Sequence, residues 1–216
     1  MSKSYIFLSG GGDIEESFKF DEKYFSLLPN YARILYIPVA LKRSSGGFEA
    51  CYDWFSTLIS HHVGKKEIDF TMLLQKKEIP DFDVFDSVYV GGGNTYKLLD
   101  YFVKTGIGQE ITKYTEKRGV YYGGSAGAVV VGKDIRTVEE ENDKNYQHFN
   151  GVNIVGGRSI IPHYNESLDK KIFEMVLKTE SEVLAIPEDS GIILHENNLE
   201  PFGDVFIFDR KSKKRI

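Results

Sequence analysis

Short apolar runs alternate with segments of helical spacing, and glycine-rich turns punctuate the chain where one gives way to the other. Ser4 to Ser9 (SYIFLS) predicts a first strand, and Gly10-Gly11-Gly12-Asp13 turns out of it into a helical pattern from about Glu15 to Leu28, with Asp13 placed to cap it. Arg33 to Val39 (RILYIPV) is a near-continuous apolar run, as expected of a parallel strand covered by helices on both faces. Phe48 to His62 then carries Cys51, Trp54, Phe55, Leu58 and Ile59 as a core-facing helical stripe, with His61-His62 at its wet end, where the dipole favours a cation. Lys66 to Leu73 adds a strand, punctuated by Lys76, Lys77 and Pro80. Phe85 to Val90 is the next, closing on Gly91-Gly92-Gly93-Asn94-Thr95 before a helix with Leu98, Leu99, Tyr101 and Phe102. Ile107 to Lys117 gives a further helix, which leads to a buried strand at Val120 to Tyr122.

This β-α-β-α-β-(α)-β-α order predicts an α/β fold with a doubly wound, mostly parallel sheet and right-handed crossovers. Functional groups in such sheets gather beyond the C-terminal ends of the strands. Downstream, Thr137 to Asp143 (TVEEEND) reads as an exposed acidic loop. Ser159 to His163 reads as a short strand, and Asn165 or Ser167 caps a helix to about Lys178. Val183-Leu-Ala-Ile-Pro-Glu188-Asp189-Ser190-Gly191 repeats the pattern of strand, proline and acidic turn. Ile192 to His195, Glu200 to Phe202 and Val205 to Asp209, joined at Asn197-Asn198 and Gly203-Asp204, predict a short C-terminal β meander.

Composition narrows the class. With 216 residues, 41% of them hydrophobic, the chain supports one substantial core, so a single domain over residues 1–216 is expected. A net charge of -5, with Arg210-Lys-Ser-Lys-Lys-Arg215 as the one basic run, argues against nucleic acid, and that tail reads as a solvated end. The single cysteine, Cys51, excludes an intramolecular disulfide and reads as a small buried residue. Tyr5 to Leu8 is too short for a signal peptide and no run reaches membrane-spanning length, so a soluble, cytoplasmic protein is expected.

The candidate chemistry lies in the glycine turns. Gly123-Gly124-Ser125-Ala126-Gly127 fits G-x-S-x-G between a strand and a helix, the pattern of a turn that holds a serine hydroxyl out of a sheet; a plain tight turn has the same local composition. Gly91-Gly92-Gly93 exposes backbone N–H groups that can complete an oxyanion hole. Gly10-x-Gly12 lacks the third glycine of a dinucleotide fingerprint, because Glu15 stands there, and reads as a strand-to-helix turn. Among five histidines, His163 alone stands at a strand end beside a turn signal, whereas His148 falls in a polar loop and His195 in a late extended stretch. Glu188 or Asp189 supplies a carboxylate for it. Adjacent His61 and His62 lack the spacing of metal ligands. A non-catalytic alternative uses Gly10–Gly12 or Gly91–Gly93 to hold a small anionic ligand.

Four segments together, Val90-Gly-Gly-Gly-Asn-Thr95, Gly124-Ser-Ala-Gly-Ala128, Ile161-Pro-His-Tyr164 and Ile186-Pro-Glu-Asp189, resemble peptidase family S51, which contains dipeptidase E and cyanophycinase. Ile135-Arg136-Thr137 is similar to dipeptidase E as well, and the likeness runs from about Phe85 to Ile193. The resemblance implies a class I glutamine amidotransferase-like fold and a Ser-His-Glu triad: Ser125 as nucleophile, His163 as base and then acid, Glu188 as orienting carboxylate, with the N–H groups of Gly93 and Ala126 as oxyanion hole. The order of His163 before Glu188 differs from ordinary α/β-hydrolases, and serine at the elbow differs from amidotransferases. Asp189 remains an alternative partner, and Glu139 and Glu140 stand near a further acid considered in dipeptidase E. That enzyme recognises an N-terminal aspartate with an arginine after its histidine; Asn165 to Lys171 contains none, leaving Lys170, Lys171 or Arg136 as substitutes. The resemblance implies a serine peptidase of short peptides, with a cyanophycinase-like enzyme cleaving β-linked Asp-Arg, or another acyl hydrolase, as alternatives. No metal or cofactor is implied. The expected partner is a small peptide substrate, with neither nucleic acid nor membrane, and a homodimer stays open.

Overall fold

The computed structural model describes residues 4–41, 47–74, 78–117, 119–142, 144–196 and 198–216. Lys76, Lys77, Asp143 and Asn197, which the sequence pattern invoked, lie outside the described residues. In chain order the first half holds β1 (Tyr5–Ser9), α1 (Phe18–Leu27), β2 (Tyr31–Ile37), α2 (Gly47–His62), β3 (Glu67–Met72), β4 (Ser87–Val90), α3 (Thr95–Thr105), α4 (Ile107–Lys117), β5 (Val120–Gly124) and α5 (Ala126–Val130). The second half holds β6 (Ser159–Ile161), α6 (Asp169–Thr179), β7 (Val183–Ala185), β8 (Gly191–His195), β9 (Asn198–Phe202), β10 (Phe206–Phe208) and β11 (Lys213–Arg215).

Seven strands form the main sheet in the order β3-β2-β4-β5-β1-β8-β9. The first five are parallel, and β8 and β9 extend the sheet as an antiparallel hairpin along β1. A second sheet, β11-β10-β7-β6, is built from strands of three residues each, too short to announce themselves by periodicity. The predicted parallel core is present, and the C-terminal strands divide between the two sheets.

Alternation along each strand sorts the core into two layers. Phe7, Tyr36, Tyr89 and Tyr122 face α1 and α2, meeting Tyr24, Phe25 and Phe55 in a mainly aromatic layer. Leu8, Leu35, Ile37, Val88, Val90 and Tyr121 face the other way, into an aliphatic layer with residues of α3, α4 and α5. Cys51 is buried in the aromatic layer, as its place on the α2 stripe predicts. Asp13 does not cap α1, which starts at Phe18 behind Ser17; it closes the turn before the helix, its carboxylate accepting from the N–H groups of Glu15 and Glu16 while Glu16 accepts from the Asp13 N–H.

Three further sequence expectations are corrected. His61 is exposed, but His62 turns inward and stacks on Phe25 at 5.2 Å between centroids; neither of its ring nitrogens has a hydrogen-bond partner among the described residues. Burial lowers its pKa, so a neutral ring rather than a wet cation ends α2. The basic tail is not simply solvated: Lys213–Arg215 forms β11, and the Lys213 ammonium lies 4.6 Å from the Phe206 ring centre and 2.9 Å from Asp169. The acidic loop is only partly exposed, because Thr137 is fully buried and donates to the Ile160 carbonyl.

Asp21 is a carboxyl group inside the aromatic layer, 2% exposed. The Tyr122 hydroxyl donates to one of its oxygens. The Ser17 hydroxyl lies 2.7 Å from its other oxygen and also 2.7 Å from the Asp13 carbonyl. A carbonyl only accepts and Ser17 has one proton, so both bonds form when Asp21 is protonated. Burial accordingly pushes its pKa up from 3.8 to about 6, against the opposing hydrogen bonds of Ser17 and Tyr122. As pH rises from about 4 to about 6 the unfolded chain releases this proton first, so stability falls, by about 3 kcal/mol once the window is crossed. Asp21→Asn offers an N–H to Ser17 and an oxygen to Tyr122 with no charge to bury. Urea denaturation should find it more stable than wild type at pH 7.5, with the advantage gone near pH 4.

Candidate active site

The serine turn follows from the strand that feeds it. Tyr121 and Tyr122 are fully buried in β5, and after Gly123-Gly124 the chain reverses at Ser125, whose φ of 48° and ψ of -108° are unusual for a residue with a side chain. Small neighbours are obligatory there: a Cβ on Gly123 would stand 2.5 Å from the Gly127 carbonyl oxygen, and one on Gly127 would stand 2.3 Å from that of Val90. The helix that follows, Ala126–Val130, has five residues, all of them buried. Ala126 is its first residue, where a backbone N–H has no acceptor within the helix.

His163 and Glu188 arrive from the second sheet. His163 stands two residues beyond β6 with φ of 52°, and Glu188 lies three residues beyond β7 in a turn closed by the Ser190 N–H on the Pro187 carbonyl. The Ser125 hydroxyl is 2.9 Å from His163 Nε2, and His163 Nδ1 is 2.9 Å from Glu188 Oε1. With the Nδ1 proton donated to Glu188, Nε2 is left as an acceptor for the serine hydroxyl. Both partners are open to solvent, at 46% and 49% side-chain exposure. Asp189 faces elsewhere and accepts from Ser190, so of the two adjacent acids it is Glu188 that meets the imidazole.

The first glycine turn, read above as a plain strand-to-helix connection, carries the assembly. The Gly10 carbonyl accepts the His163 N–H at 2.9 Å, and the Ser9 carbonyl accepts the Ser125 N–H at 3.3 Å. A Cβ on Gly11 would lie 2.7 Å from both the His163 ring and the Ser125 Cβ; one on Gly10 would overlap the Pro187 carbonyl, and one on Gly12 would come within 2.6 Å of that of Glu188. The signal was present as three consecutive glycines ending a strand, the same signal that singled out Gly91–Gly93.

Gly93, Ser125 and His163 open on one cavity of about 660 Å³, which Glu140 and Lys171 also line. Glu140 accepts from the Thr95 N–H and from the Thr95 hydroxyl, fastening the acidic loop over the start of α3, and burial raises its pKa against those hydrogen bonds. Asn94 adds a bond to the Glu141 carbonyl at 3.0 Å while its own oxygen caps α3. Glu139 is ion-paired with Lys171. Of the three cations considered for substrate contact, Lys171 lines the cavity, Lys170 is exposed, and Arg136 is committed to Asp134 through both carboxylate oxygens. Among the described residues, no group of three or more His, Cys, Asp or Glu is placed to hold a metal ion, and no helix is long and apolar enough to cross a membrane.

Comparison with known proteins agrees with the motif resemblance. The chain is similar to Peptidase E of Actinobacillus pleuropneumoniae serotype 5b, at 23% identity over 192 residues, covering 83% of this chain and 79% of the relative. Peptidase E of Streptomyces coelicolor is 25% identical over 176 residues, covering 76% and 69%. Among solved structures, a Peptidase E candidate from Listeria monocytogenes EGD-e superposes over all of both chains with a TM-score of 0.68 at 21% identity. A peptidase from an acI-B1 Actinobacterium gives 0.70 at 20% identity, over all of this chain and 94% of its own. At these identities the two structures speak for the fold. The model of peptidase family S51 matches residues 6–201, nearly the whole chain, and the chain is accordingly a peptidase that belongs to family S51.

Proposed function

We propose that this chain is a serine peptidase of short peptides, similar to dipeptidase E, working through Ser125, His163 and Glu188. The observation that supports it is the pair of 2.9 Å contacts that join serine to histidine and histidine to carboxylate in one line. Ser125 Oγ attacks the scissile carbonyl carbon as its proton passes to His163 Nε2. The N–H groups of Gly93 and Ala126 face the oxyanion. Collapse breaks the C–N bond, His163 returns the proton to the departing amine, and the acyl group stays on Ser125 as an ester. A water molecule, deprotonated by the same imidazole, then releases the acid. Glu188 keeps the Nδ1 proton in place and offsets the charge of the imidazolium.

The relatives named Peptidase E favour a short peptide as substrate. The direct test is hydrolysis of a dipeptide panel containing N-terminal Asp, N-terminal apolar and β-linked Asp-Arg members. Cleavage of α-linked dipeptides without added metal is expected. Cleavage of the β-linked member alone would replace this reading with the cyanophycinase-like one, and cleavage of none would overturn both.

A further inference from the structure

Ser125 stands between two cavities. Besides the large one it lines a second, of about 180 Å³, on the α1 and α2 side of the turn. The glycine turn after β4 is the wall between them: Gly93 lines the large cavity, Gly91 and Gly92 the small one. The two differ in chemistry. Besides His163, the large cavity carries Glu139, Glu140, Glu141 and Lys171, whereas among the described residues no side chain lining the small cavity is charged. Its walls are Tyr36, Leu41, Trp54 and Tyr89 with the glycines. Ser17 and Tyr122 also reach it, but both hydroxyls are engaged with Asp21 behind the wall.

We propose that the small cavity is a specificity pocket, which takes an uncharged side chain, up to about the size of leucine or phenylalanine, from one of the two residues flanking the scissile bond. The inference rests on Ser125 being the nucleophile, since only then does a peptide bond lie where both cavities meet. Size supports the limit: an apolar cavity of about 150 Å³ is enough to hold benzene. Charge supports the class, because an ionised side chain entering this space would lose its hydration and find no counter-charge among the described residues of the lining. The neighbouring residue of the substrate is left to the large, ionisable cavity.

Two substitutions move the pocket in opposite directions. Trp54→Ala removes a wall. Gly91→Ala adds a methyl that would stand 3.4 Å from the Tyr36 ring and 3.7 Å from Leu41, ordinary contacts that fill space without displacing backbone. The experiment measures kcat/KM over a matrix of dipeptides in which each position carries Ala, Leu, Phe, Asp or Lys, for wild type and both variants. The readout is the ratio of large to small side chain within each protein, which a general loss of activity does not move, and thermal melts confirm that the variants fold.

At one position wild type should reject Asp and Lys by about 100-fold relative to Leu, and at that same position the Phe-to-Ala ratio should rise about tenfold in Trp54→Ala and fall about tenfold in Gly91→Ala. Equal tolerance of charge at both positions, or ratios that neither variant shifts, overturns the pocket while the peptidase reading stands. No hydrolysis anywhere in the wild-type matrix overturns the peptidase reading, and the pocket with it.

Discussion

Ser125→Ala should lower kcat by about 10⁴- to 10⁶-fold, the scale seen when a serine peptidase loses its nucleophile and keeps only binding and oxyanion contacts. The change deletes one oxygen, whose bond to His163 lies in an open cavity, and leaves the backbone of the elbow as it was. Stability should therefore move by less than about 1 kcal/mol, as for an exposed position. Single-turnover kinetics on the best dipeptide of the panel, beside a urea melt of both proteins, separates the two effects. Turnover within tenfold of wild type would remove Ser125 from the mechanism. A collapse of the melt would instead mean that the hydroxyl holds the turn.

Gly11→Ala is expected to be the next most damaging small change, although Gly11 supplies no chemical group. Its φ of 91° already disfavours alanine, and the added methyl would press on the His163 ring and the Ser125 Cβ, each 2.7 Å away. Something must shift, and what lies there is the proposed nucleophile and its base. A displacement of about 1 Å in such a pair costs on the order of 100-fold. The expected result is a fall of at least that size in kcat with a folded protein, measured alongside circular dichroism. Wild-type kcat in Gly11→Ala would show that the pair does not depend on this contact.

Much of the parallel core was legible because its strands are apolar runs and its helices carry clear stripes. Arg33 to Val39 and Phe48 to His62 fell within two residues of β2 and α2. Ser125, His163 and Glu188 were legible as separate motifs, and their meeting could not be read from spacing alone. It depends on the second sheet, whose three-residue strands give no period, and on backbone approaches at Gly10 to Gly12 that involve no side chain to pattern. The acidic loop misled for a related reason. Its charges signalled solvent, but Glu140 is drawn onto Thr95 and Thr137 is buried beneath it, both through hydrogen bonds to partners far along the chain. His62 misled because its aromatic neighbours, Phe18 and Phe25, come from another helix.

The pairing of β1 with β8 joins two strands that stand far apart in the chain. β1 is synthesised well before β8, and Gly191 to Leu194 must line up antiparallel to Ser9 to Ile6 before the sheet is closed on that side. Pro187 and Glu188 stand in the turn that leads into β8, and they rest against Gly10 and Gly12. A nascent chain that has already released Ser125 and His163 still lacks the carboxylate and the strand that seats it. Contacts between such distant segments are the slow ones in folding. The proposed hydrolytic site thus depends on a long-range closure: a chain in which β8 has not docked on β1 lacks the strand that seats its carboxylate.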